Sequence, residues 1–318
     1  MGLITSRRLI VSGIGATAAL GAAAVGAYRV SPTFWQQYMR DLRRGIQPST
    51  RKPDWRAWSG RGLHAAWLGH STILLRINGY TILTDPVFSS RAGINLGLFT
   101  LGPKRLIEPA LDLGDLPKID LILNSHAHMD HLDTPSMSAL ENKSTELVMA
   151  HATSDIIRVP GYARVRELRW GQSLQAGPVR ITAIEVNHWG ARLRSDTWRG
   201  YNGYLIESNG DGPTRRVLFA GDTANTHLFR GLKTSHPFDL ALMPIGAYNP
   251  WIRAHCTPEQ SWRMANEANA ERFFPMHHQT FPLGREPFLE PIERLHNAAG
   301  NDSQRIVLQK VGEEVRVG

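Results

Sequence analysis

The sequence holds a single cysteine, Cys256, in 318 residues. An intrachain disulfide needs two thiols and a cysteine-based zinc site needs several, so both are excluded, while the redox compartment stays open. No repeat of solenoid length is present either, which excludes a stacked-repeat architecture. Acidic residues are in the minority, 28 against 36 Lys plus Arg, for a formal charge of +8. That imbalance favours anionic partners such as phospholipid headgroups, a membrane surface, nucleic acid or phosphorylated substrates, and charge alone does not choose among them. With 42% hydrophobic and 20% charged residues, the composition is that of an ordinary soluble globular protein. The chain is long enough to bury a substantial core, as one large domain or two small ones.

What the chain does have is histidine gathered in one place. Ser125-His126-Ala127-His128-Met129-Asp130-His131 follows Ile119-Asp120-Leu121-Ile122-Leu123-Asn124, which reads as a buried strand. Imidazole nitrogen and carboxylate oxygen are the ligands that zinc and similar divalent ions accept, so the stretch reads as a metal loop at a sheet rim. A polar turn with chance histidines is the plain alternative, but the chain has only 13 His in all. His126 and His128 can serve one ion while Asp130 and His131 face another, so the spacing suggests a two-metal site whose remaining ligands lie elsewhere.

At the N-terminus, Arg7-Arg8 precedes an uncharged run from Leu9 to Tyr28 that is rich in Ala and Gly. A basic start followed by a moderately apolar stretch is the layout of an export signal, and the paired arginines are similar to a twin-arginine signal. Twenty uncharged residues also suffice to span a bilayer as an anchor. Residues 1–30 are therefore read as a signal or membrane-anchor segment, placing the protein at a membrane or in the exported, periplasmic space. Residues 31–60, with Arg40, Arg43, Arg44, Arg51 and Lys52 among Trp35, Trp55 and Trp58, read as a basic aromatic linker. Such a stretch either lies on anionic lipid or wraps the domain in solvent.

The catalytic domain is expected over residues 61–318. Strands are expected at 64–68, 72–77 and 80–84, with Asn78-Gly79 as a hairpin turn. Asp85 ends the third and is placed either to orient a metal-binding histidine or to cap a turn. The Gly- and Pro-rich stretch from Val87 to Lys118 reads as a long loop that shapes a site. Further strands end in Asn187-His188-Trp189, in Gly221-Asp222-Thr223, before Ile245-Gly246-Ala247-Tyr248, and in His277-His278-Gln279-Thr280. Thr257-Pro258-Glu259 starts a helix. His70, His151, His227, His236 and His296 read as ordinary polar residues, although His70 could border the site. Cys256 beside His255 is not read as a thiol nucleophile, because sequence adjacency does not establish the needed geometry.

Strands delivering His-x-His-x-Asp-His, then His, Asp and His resemble the metallo-β-lactamase superfamily. Trp67-Leu68-Gly69-His70-Ser71-Thr72, Leu83-Thr84-Asp85-Pro86-Val87-Phe88, Asn187-His188-Trp189, Gly221-Asp222-Thr223 and Pro244-Ile245-Gly246-Ala247-Tyr248 resemble, more closely, the N-acylphosphatidylethanolamine-hydrolysing phospholipase D family. The resemblance implies an α/β fold, an αββα sandwich of two mixed β-sheets flanked by helices. It implies that His126, His128 and His188 hold one zinc, that Asp130, His131 and His277 hold a second, and that Asp222 bridges them. The family's run after the last histidine is Trp-Gly-Thr-Phe, here His278-Gln279-Thr280-Phe281, and alignment on Thr280-Phe281 favours His277 over His278 as the ligand.

The cofactors expected are thus two Zn2+, with Mn2+ or Fe2+ as other divalent ions that such ligands accept. Two ions supply hydroxide near neutral pH and clamp phosphodiester oxygens. Asp130 is expected to steer the nucleophile's proton, and His255 or Tyr248 to contact the phosphate or leaving group. The expected activity is a phospholipase D-type phosphodiesterase on N-acylphosphatidylethanolamine or a related phospholipid. Alternatives are hydrolysis of another ester, a lactone or thioester, and a membrane-tethered metal-binding protein without catalysis. A phospholipid substrate and an anionic membrane surface are the expected partners; nucleic acid is not expected, and a homodimer is left open.

Overall fold

Strands buried along nearly their whole length build two sheets facing one another. The computed structural model describes residues 32–97, 100–157, 160–193, 195–208 and 213–317. The first sheet contains Leu63–Gly69 (β1), Thr72–Ile77 (β2) and Tyr80–Thr84 (β3). Asn78 and Gly79, both at positive φ (49° and 86°), close the β2–β3 hairpin as the Asn-Gly pair predicts. A two-residue-per-strand hairpin, Ile94–Asn95 (β4) and Thr100–Leu101 (β5), interrupts the long loop that follows. Leu121–Asn124 (β6), Glu146–Ala150 (β7) and Arg164–Leu168 (β8) then extend the sheet in parallel.

Ser173–Ala176 (β9), Val179–Ile184 (β10), Gly203–Ser208 (β11), Arg216–Phe219 (β12), Leu240–Pro244 (β13) and Phe273–Met276 (β14) make the second sheet, and Glu314–Val317 (β15) returns to the first. The strand orders are β15-β1-β2-β3-β6-β7-β8 and β14-β13-β12-β11-β10-β9. Both are mixed sheets.

Period-two patterning decides which side chains fill the space between them. Val217, Phe219, Leu240, Leu242, Phe274 and Met276 join the first sheet's apolar residues in one large core. Their neighbours Leu218, Ala241, Met243 and Phe273 point the other way, onto Trp262, Met264, Ala265, Ile292 and Leu295. Those belong to the helices that cover the second sheet, named below. Numbering in chain order the described α-helices of six residues or more, α1 is Pro32–Arg43, α2 is Thr134–Ala139, α3 is Pro258–Glu267 and α4 is Glu290–Ala299, with one further short turn of helix at Tyr248–Trp251. Asp133 caps α2 through Ser136 N–H, and Thr257 caps α3 in a reciprocal box with Gln260. The result is an α/β sandwich of two mixed sheets.

The pairing pattern also decides where strand ends fall. β1 is antiparallel to β2 and β2 to β3, so β1 and β3 run with β6. By the same parity β10 runs with β12, β13 and β14. The loops after β1, β3 and β6 therefore leave one edge of the first sheet, and those after β10, β12, β13 and β14 leave one edge of the second.

The signal or anchor reading of residues 1–30 lies outside the described residues. Among the described residues no helix is long and apolar enough to cross a membrane. The stretch expected to be a linker divides in two. Of the described residues, those up to Gly45, with α1, form one unit, and Ile46 onward belongs to the other. Within the second unit Trp55 is partly buried and Trp58 buried against the fold. Their indole N–H groups donate to Asp115 O and Glu314 Oε2, both at 2.8 Å, and Arg76 sits over both rings. An indole that finds a polar partner for its N–H packs readily against a fold, which is why these aromatics dock.

Candidate metal centre

Eight residues from five strand ends converge. His126 and His128 leave β6, and His126 Nε2 lies 2.8 Å from His128 Nδ1. His188, four residues beyond β10, brings its Nε2 to 3.2 Å from the same His128 nitrogen. These three and Asp222, in the turn after β12, form one group whose ligand atoms all lie within 4.8 Å of one another. A second group of the same compactness contains Asp130, His131, His277 and also His70. Asp222 Oδ2 is 3.1 Å from Nε2 of both His131 and His277, and 3.8 and 4.0 Å from Nε2 of His188 and His126. One carboxylate thus faces both groups.

The hydrogen bonds behind the rings set which nitrogen faces inward. His188 Nδ1 donates to Ala254 O at 2.7 Å, and His131 Nδ1 to Asp85 Oδ2 at 2.6 Å. A neutral imidazole so engaged presents a bare Nε2. Asp85 is itself held by Ser125 N–H (2.7 Å) and Oγ–H (2.6 Å). Arg192 donates to Ala127 O and Leu132 O, at 2.9 and 2.8 Å, tying the metal loop from its far side.

The donor set fits divalent metal. His131 Nε2, His277 Nε2 and Asp222 Oδ1 are buried without a hydrogen-bond partner, an arrangement that is costly unless a cation receives those lone pairs. No cysteine takes part, and Cys256 is buried with its thiol pushed up to about 12 by desolvation, so it is no nucleophile. Burial lowers His126 well below the usual imidazole range and brings His188 to about 3. Burial opposes charge on Asp130 and Asp222 as well, yet His131 outweighs it and holds both carboxyls well below the usual range. Bare imidazoles beside ionised carboxylates are what a cation site needs.

His255 is brought to the cluster, its buried Nδ1 unpartnered and 3.8 Å from Asp222 Oδ2. Tyr248 is engaged elsewhere: its hydroxyl donates to Glu290 Oε1 at 2.7 Å beneath the Arg294 guanidinium. The expectation that it contacts substrate is therefore set aside in favour of a bond that anchors α4. Of the paired histidines, His277 faces Asp130 and Asp222, whereas the His278 ring stacks on Trp67 with centroids 4.6 Å apart. A positive φ at His277 (62°) turns the two rings apart.

His70, taken from the sequence as an ordinary polar residue, stands inside the second group with Nε2 2.9 Å from Asp130 Oδ2. Its position directly after Gly69 at the end of β1 was the available signal. Non-glycine residues at positive φ gather at this centre, with His70 at 53°, Asp85 at 34° and His277 at 62°. Such backbone is held only where its surroundings over-determine it.

Fold and site together define a metallo-β-lactamase-fold, metal-dependent hydrolase. The Beta-lactamase superfamily domain family matches residues 80–278, and the chain belongs to the metallo-β-lactamase superfamily. An uncharacterized protein of Mycobacterium tuberculosis is 34% identical over 261 residues, covering 80% of this chain and 68% of that one. The N-acyl-phosphatidylethanolamine-hydrolyzing phospholipase D 1 of Caenorhabditis elegans is 33% identical over 257 residues, 74% of this chain and 70% of its own length. Among solved structures, the metallo hydrolase Igni18 of Ignicoccus hospitalis shares the fold with a TM-score of 0.60 at 20% identity, over 80% of this chain and 98% of that one.

Proposed function

We propose that the chain is a phospholipase D-type phosphodiesterase that uses two divalent ions, zinc or else Mn2+ or Fe2+, to cleave N-acylphosphatidylethanolamine or a related phospholipid. The two-ion reading is carried by Asp222, whose Oδ2 faces His131 and His277 on one side and His126 and His188 on the other. His126, His128 and His188 would hold one ion, Asp130, His131 and His277 the other, and Asp222 both. Bound ions would supply a nucleophilic oxygen near neutral pH and neutralise a phosphodiester. His255, with an unpartnered nitrogen beside the cluster, is placed to contact a phosphate oxygen or the leaving group.

The substrate class is supported by the likeness to the C. elegans phospholipase D. Side chains around the centre suit a lipid. Trp189, next to His188 and edge-on to His128, is half exposed, as is Trp251. Exposed indoles on a chain of formal charge +8 fit an anionic membrane surface, and a membrane-associated or exported location is part of the proposal. The test is turnover by the purified, metal-loaded protein on vesicles containing N-acylphosphatidylethanolamine, with lipid products resolved by class. Release of phosphatidic acid supports the assignment. Cleavage of a lactone or thioester with the phosphodiesters left intact would overturn it.

A further inference from the structure

His70 is held at three points around one turn. Its backbone N–H donates to Thr280 Oγ1 at 2.6 Å, and its carbonyl accepts from Trp67 Nε1 at 2.8 Å and from His277 N–H at 3.2 Å. Its ring lies 4.1 Å, centroid to centroid, from that of His277 and edge-on to Phe281. From this fixed place Nε2 reaches Asp130 Oδ2 at 2.9 Å. That same oxygen is 3.4 Å from His277 Nε2 and 3.5 Å from His131 Nε2. His70 therefore joins the metal loop of the first sheet to the histidine turn of the second.

A neutral imidazole carries one N–H. If Nε2 donates it to the carboxylate, Nδ1 is left bare, and Nδ1 of His70 is indeed buried with no partner. The geometry points to His70 as a positioning residue: its Nε2–H fixes the Asp130 carboxylate against the His277 turn, so the ligand atoms of the second ion are assembled before that ion arrives. The inference rests on the two-ion reading above. It differs from ligation by His70 itself, which would require Nε2 to be bare.

Two substitutions separate these roles. His70→Gln puts an amide N–H near the place of Nε2, whereas His70→Phe keeps a ring and removes the donor. Metal titration of the purified protein should show two ions per chain in the wild type. His70→Phe is expected to keep the first and to bind the second about 10- to 100-fold more weakly, the usual cost of losing such an outer partner. His70→Gln should stay within a few-fold of wild type, and the visible spectrum of the cobalt-substituted protein should be unchanged. An unaltered second affinity in His70→Phe overturns the inference. So does a His70→Gln protein that loses the second ion as badly as His70→Phe, or whose cobalt spectrum reports a changed ligand set. Should His70→Phe fail to fold by circular dichroism, Thr280→Val removes the hydroxyl that holds the His70 N–H. It is expected to weaken the second ion too, and unchanged binding there would sink the idea. A wild type that takes up only one ion refutes the two-ion reading instead.

Discussion

Asp85 Oδ2 lies 2.6 Å from His131 Nδ1, and both side chains are fully buried. The carboxylate fixes the tautomer and direction of a ring whose other nitrogen faces Asp222. Asp85→Ala is accordingly expected to weaken metal binding at the position His131 serves by about 10- to 100-fold. It should also lower thermal stability, because Ser125 N–H and Oγ–H lose their acceptor. Metal titration and calorimetric melting check the two effects; a variant that binds metal like the wild type would remove Asp85 from this role.

The metal-free centre should take up metal with a definite pH dependence. Burial works against a charged His277, but Asp222 and Asp130 outweigh it and raise the ring to about 9. His131 is raised well above the ordinary range against the same burial, by Asp222, Asp130 and Asp85. In the metal-free centre both rings are thus biased toward the protonated form and must be deprotonated to bind metal. Uptake should release protons at pH 7, and apparent affinity should climb as pH rises toward 9. Calorimetry in buffers of different ionisation enthalpy reads the proton count directly. Uptake without proton release would contradict the assignment.

The adjacent histidines should behave as opposites. His277→Phe removes a group facing both Asp130 and Asp222 and should abolish binding of one ion. His278→Phe keeps a ring against Trp67 and deletes two buried nitrogens that have no partner. It should leave metal content unchanged and stability equal or higher. Metal analysis of both variants settles this, and metal loss from His278→Phe alone would reverse the assignment.

Away from the centre, Thr257→Ala removes one half of the capping box at the start of α3. A loss of about 1 kcal/mol of stability is expected, with metal content intact. Chemical denaturation measures the first and metal analysis the second; stability unchanged within error would show that the cap contributes nothing here.

Much of this arrangement was legible from residue order. The hairpin at Asn78-Gly79, the cap at Asp133 and the helix start at Thr257 each rest on local backbone preference, and local preference is written in neighbouring residues. Expected strands such as Thr72–Ile77 and Leu240–Pro244 coincide with the observed ones because period and apolar content agree. Strand ends were less visible: the strand expected from Ile119 starts at Leu121, since Asp120 turns aside to accept Thr81 N–H. Docking of Trp55 and Trp58 was not legible, because their partners Asp115 and Glu314 are remote in sequence.

By itself the sequence determined the inventory of the centre: a run of histidines and carboxylates within one loop, and more at later strand ends, with no cysteine to offer another chemistry. It could do so because ligand type and strand termini are local properties. How these groups divide and that Asp222 bridges them were already implied by the family resemblance; only the tertiary structure decided that His70 reaches Asp130 and that Tyr248 is spent on Glu290. Those relations depend on which strands run in the same direction and on where two separate sheets bring their edges, which no stretch of neighbouring residues encodes.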